Sequence, residues 1–183
     1  MRYLRLLKVP AACVSACGVL VATAVALLNM ATPTRTQAQS VFPSGAATLQ
    51  GVESGHFITN PGTHATVITN DFAEGGAPRL GKYTLIAREE INVGTGVVAS
   101  GAFVITAANG DTFRGTYSGQ ASFQATSASW TADGAISGGT GRFAGATGTI
   151  HFDGSSDLTT CQAVGALSVC EFTETSTVNL VLP

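Results

Sequence analysis

From Thr48 to the C-terminus, apolar and polar residues alternate with period two in short runs, and no window carries apolar residues at helical spacing over three turns. Runs rich in Val, Ile, Thr, Phe and Tyr recur between glycines. They predict strands at approximately 50–59, 64–72, 80–90, 96–108, 112–126, 128–136, 142–153 and 166–182. In the fifth, Phe113, Gly115, Tyr117 and Gly119 alternate with Arg114, Thr116 and Ser118, so one face is buried and the other wet. Asn109-Gly110-Asp111 and Asp133-Gly134 carry the residues that tolerate the positive φ of tight hairpin turns. Sequential hairpins make a meander, and a long meander hides its edges best by closing on itself. The pattern therefore predicts an all-β chain folded as an antiparallel eight-stranded up-and-down barrel. Its many Gly, Ala, Ser and Thr residues leave open whether the interior is filled or hollow.

The densest glycine cluster runs from Ala135 to Ile150 and reads as strand, tight corner, strand, with Phe143 as the ring that glycines let lie against the sheet. Within it, Gly139-Thr140-Gly141-Arg142-Phe143-Ala144 meets the spacing of a dinucleotide-binding turn. That turn needs a following helix to receive the pyrophosphate, and residues 145–153 read as strand. No cofactor is expected.

Charge changes the picture at the N-terminus. Arg2, Arg5 and Lys8 precede an uncharged apolar run from Val9 to Leu28, the layout of a secretory signal, with small residues allowing cleavage after Ala38 or Ser40. Residues 1–40 are read as a signal peptide, 41–47 as a linker and 48–183 as one domain. An uncleaved anchor is the alternative, since the run approaches the roughly 20 residues of a membrane-spanning helix. Val14-Ser15-Ala16-Cys17 resembles a lipobox, although most of the apolar run follows Cys17. The expected location is secreted or at the cell envelope. Residues 41–183 keep five basic and eleven acidic side chains, 5 − 11 = −6, and no basic stripe, which disfavours nucleic acid. Membrane contact is expected only through an uncleaved N-terminal segment. Cys161 and Cys170 are the only cysteines of the body, and a disulfide between them is expected in an oxidising compartment. A metal there would need more ligands than Glu171 alone supplies.

Residues Ile105 to Gly119, including Asn109-Gly110-Asp111, together with the Gly138 to Gly148 cluster, resemble a large group of bacterial secreted proteins of unassigned function. That group is similar in turn to the allene oxide cyclase and dirigent barrels. The resemblance covers roughly residues 80–150 and implies an eight-stranded barrel, often trimeric, with an apolar pocket. Neither family's catalytic residues carry over: Ala146-Thr147-Gly148 stands where dirigent proteins carry Ala-Arg-Gly. For the cyclases' buried first-strand glutamate, the chain offers only Glu53, out of register.

The remaining chemistry is sparse. His56, His64 and His151 fall on three separate strands, without metal-binding spacing. Gly-x-Ser-x-Gly does not occur. Glu89 and Glu90 point to opposite faces, so at most one can face a pocket. Both are read as surface residues, because an unpaired buried carboxylate is costly. Arg114, Tyr117, Trp130 and Phe143 are the pocket candidates, and Phe113, Phe123 and Arg142 are further residues whose direction would matter. The expectation is an exported barrel that binds a small apolar ligand or serves as an interaction scaffold. The alternative is an isomerase, cyclase or dirigent-like protein that imposes a conformation on a hydrophobic substrate.

Overall fold

The computed structural model describes residues 44–61 and 66–183, so the signal peptide expected over 1–40, the start of the linker and His64 lie outside the described residues. Nine strands follow one another: β1 (Gly45–Pro61), β2 (Thr66–Ala77), β3 (Gly81–Asn92), β4 (Val97–Ala107), β5 (Thr112–Phe123), β6 (Ser127–Gly139), β7 (Thr147–Asp157), β8 (Gln162–Val164) and β9 (Leu167–Leu182). Consecutive strands from β1 to β7 pair antiparallel, β7 pairs with β9, and β9 returns to pair with β1. These eight close the barrel. The short β8 pairs with β9 outside the ring.

The sequence-predicted strands correspond to the eight barrel strands in order, with three shifts. β1 starts at Gly45, inside the stretch expected as a linker, because Ala47, Leu49 and Glu53 already keep the buried parity and the strand pairs with β9 from Gly45 to Thr59. Asp133-Gly134 makes no turn. It lies within β6, opposite Ser118 and Tyr117, and the chain reverses at residues 124–126 instead. β7 starts at Thr147, since Gly141–Phe143 forms a single 3₁₀ turn.

That turn closes one end of the barrel. Gly141 and Gly145 take φ of +54° and +74°, which a side chain would strain, and the corner drops Phe143 into the interior, fully buried and edge-on to Phe113 at 5.2 Å between ring centres. Ile105, Ala146, Leu180 and Ile136 complete the plug. Asn109-Gly110-Asp111, which turns β4 into β5, is bolted to the same corner. Asp111 accepts from the Arg142 backbone N–H at 3.2 Å and pairs with its guanidinium at 3.7 Å. Thr140 N–H donates to the Thr112 carbonyl at 2.8 Å. The two stretches on which the family resemblance rests are thus one packed unit, and its role is closure. Among the described residues, no helix is long and apolar enough to cross a membrane.

Candidate binding cavity

Away from the plug, the interior is hollow. A cavity of about 390 Å³ occupies the other half of the barrel and reaches solvent beside Val93 and Phe123, which are 45% and 41% exposed. Leu85, Phe152 and Ala132 form its apolar depth. Cys161 and Cys170 are joined as a disulfide at its lip. Covalent closure there holds the β8–β9 hairpin beside the opening.

Three interior rows share one construction, set by register. On β1, β2 and β3, Glu53 stands opposite Gly75, and Gly75 opposite Tyr83. On β3, β4 and β5 the row is Glu89, Gly101, Tyr117. On β6, β7 and β9 it is Trp130, Gly154, Glu174. In each, the central glycine lets a ring lie across its strand, and a Cβ there would clash with the ring, whose nearest atoms would be 2.3–2.6 Å away. The ring's polar edge then reaches the carboxylate two strands away: Tyr83 Oη donates to Glu53, Tyr117 Oη to Glu89, and Trp130 Nε1 to Glu174 at 2.6 Å. Ser176 Oγ also donates to Glu53. Aromatic residues serve here as apolar wall and hydrogen-bond donor at once.

The result is an interior with acids and no bases. Asp71, Glu89 and Glu174 line the cavity, and Glu53, fully buried, stands beside Glu174 as its direct cross-strand partner. Among the described residues, every Lys and every Arg on a barrel strand is exposed, while Arg142 sits at the closed end with Asp111. Burial is the largest cause that raises each of these acids. Glu174 is pushed up to about 8 by burial, with the charges of Glu53, Glu89 and Asp153 adding to it and the Trp130 hydrogen bond opposing. Asp71 is held well above the carboxylate range by burial, then by Glu89, to which it is also hydrogen-bonded. Glu89 is raised too, by burial against its hydrogen bonds to Tyr117 and Asp71. Glu53 is raised by burial against the pull of Ser176 and Tyr83. Tyr83 and Tyr117 are raised too, by burial first and then by their acid partners, so both stay donors at neutral pH.

Of the sequence-derived pocket candidates, Tyr117 and Trp130 line the cavity together. Arg114 stands on the exposed face of β5, as alternation with buried Phe113 and Gly115 requires, and it contributes nothing to the pocket. Phe143 is interior but belongs to the plug. Glu89 is a correction: it points inward and is buried, because the Tyr117 hydroxyl and the Asp71 carboxyl meet the cost that argued for the surface. Glu90 does face out and accepts from Thr66 Oγ1 at 2.6 Å. Asp71 and Glu174 are absent from the sequence-derived candidates. Their signal was parity, since Asp71 shares its face with Thr69 and Ala73, and Glu174 with Cys170, Phe172 and Val178. His56 is exposed and stacked on Phe72, and exposed His151 bonds Asp133 at 2.7 Å. No group of three or more metal-ligating side chains gathers among the described residues.

Comparison with known proteins finds no matching family model, no matching curated protein and no matching solved structure.

Proposed function

We propose that this is an exported barrel that binds a small, largely apolar molecule in its open half. The observation that carries the reading is the cavity itself. Its volume of about 390 Å³ lies within the roughly 300–1,000 Å³ of ligand pockets, and a few polar groups converge in an apolar wall, as such sites require. A scaffold has no need of a hollow interior, whose lining forgoes packing. The disulfide at the lip supports the exported setting. A second reading has one specific support: a carboxyl pushed up to about 8 inside an apolar-walled cavity is suited to deliver or accept a proton, which an isomerase or cyclase would use.

Trp130, the chain's single tryptophan, lies in the wall, so its fluorescence reports occupancy. Titration with a neutral apolar probe, 4-phenylbutanol, is expected to give a saturable change with one site per chain. Ala87 is buried in the wall between Leu85 and Glu89, and Ala87→Phe places a ring in the hollow. It is expected to weaken binding about tenfold or more, equivalent to about 1.4 kcal/mol, while unfolding stays cooperative. Ala121→Phe, nearer the mouth, is the second variant should the first fail to fold. Unsaturable or unaltered fluorescence in the wild type, or full binding by a folded variant, would contradict the reading.

A further inference from the structure

Resting on the reading of the hollow half as a binding cavity, the acid-only lining narrows the class of molecule it takes. We propose that the ligand is an apolar molecule carrying one basic nitrogen, whose ammonium group sits against Glu174 with Glu89 and Asp71 beside it.

The geometry supports this in four steps. Three carboxyls from β2, β3 and β9 face one cavity, and the described basic side chains all lie elsewhere, so the described residues supply no counter-charge. Glu53 adds a fourth carboxyl in register beside Glu174, and its Oε2 is fully buried without a hydrogen-bond partner. The ring donors already in place, Tyr117, Trp130 and Tyr83, each give their one hydrogen to a carboxylate oxygen. What the lining lacks is therefore a positive charge, which a ligand ammonium supplies. An anion would find no counter-charge there and would meet like charge wherever a carboxyl ionises. The remaining wall is apolar, so a hydrated inorganic cation would lose its water without enough oxygen ligands to replace it. A protonated amine on an apolar body suits both parts.

The proton balance follows. The incoming ammonium brings one positive charge. Glu174, protonated in the empty cavity at neutral pH, releases its proton to the buffer and becomes the carboxylate of the ion pair. The groups facing it are Glu53 on β1, Asp71 on β2, Tyr83 and Glu89 on β3, Tyr117 on β5 and Trp130 on β6, with exposed Asp153 on β7 adding negative charge from outside. None supplies an opposing cation.

Three matched probes of one shape, 4-phenylbutylamine, 4-phenylbutanol and 4-phenylbutanoate, test this by titration calorimetry in two buffers of different ionisation enthalpy. At pH 7 the amine is expected to bind about tenfold or more tighter than the alcohol, to release close to one proton per chain, and to tighten further toward pH 8.5. The acid is expected to bind weakest. Glu174→Gln is expected to shrink the amine-to-alcohol ratio to about threefold or less and to abolish proton release, and Glu89→Gln serves if that variant fails to fold. Equal binding of amine and alcohol, or amine binding without proton release, would overturn the inference and leave the cavity reading intact. Binding of neither probe would remove both.

Discussion

Between pH 5 and pH 8 the barrel is expected to lose stability steadily, and Glu174→Gln is expected to remove much of that loss. The sign comes from where the proton resides. Glu174 holds its proton up to about 8 in the folded barrel, whereas in the unfolded chain it ionises near 4.5, its ordinary value. Below that, both states are protonated and the contribution is fully present. Above it, the unfolded chain releases a proton that the folded one retains, so each pH unit costs about 1.4 kcal/mol until the folded carboxyl ionises as well. Over those three pH units the loss from this residue reaches at most about 4 kcal/mol. Glu53, Glu89 and Asp71 are raised in the same direction and steepen it. Asp157, fully exposed and lowered by its bonds to Thr159, acts with the opposite sign and only in acid. Glutamine keeps an oxygen to accept from Trp130 and has nothing to titrate. The variant should match the wild type near pH 5 and melt higher at pH 8. A wild-type melting temperature that rises from pH 5 to pH 8 would contradict the buried placement of these acids.

Gly154→Ala is expected to cost about 2–6 kcal/mol, a large penalty for one added methyl in a strand. The Gly154 backbone lies outside the left-handed region, so alanine adopts it without torsional strain. The cost comes from the Trp130 indole, whose Cε2, Cζ2 and Nε1 lie only 2.4–2.5 Å from the new Cβ. Either the ring swings away or β7 moves, at about 1–3 kcal/mol for overpacking. If the ring leaves, Glu174 loses the 2.6 Å bond from Nε1 while still buried, at about 1–3 kcal/mol more. Gly76→Ala is the control. Gly76 sits on the same sheet, in β2, with nothing within 4 Å of a built Cβ and no positive φ, and its substitution should be close to neutral. Urea unfolding measures both costs, and the Trp130 emission maximum should shift only in the first variant. Equal stability of the two would sink the account of the glycine rows.

The contrast between these glycines shows what a single sequence discloses. Gly141 and Gly145 are legible, because a cluster of glycines between two alternating runs can hardly be anything but a corner. Gly75, Gly101 and Gly154 read only as weak strand positions, since their purpose depends on which ring lies one strand over and which acid lies on the far side. That pairing joins residues 28 apart for Glu89 and Tyr117 and 44 apart for Trp130 and Glu174, and register is not written in any local window. Parity was available all along. Tyr83, Leu85 and Ala87 put Glu89 inside, and Leu49 and Ala47 do the same for Glu53. The cost of burying a carboxylate argued the other way for Glu89, and it is an argument about partners, which only the closed barrel reveals. Arg114 fails as a pocket residue for the converse reason, since its parity with exposed Thr116 and Ser118 already placed it outside.

The measurement that tests the central claim most directly is native mass spectrometry of the protein purified from its own host, followed by denaturing extraction. The account predicts one small molecule per chain, retained in the native spectrum, released on denaturation, and carrying an apolar body with a basic nitrogen. A chain that arrives bare, and that stays bare when 4-phenylbutylamine and 4-phenylbutanol are added before native analysis, would contradict it.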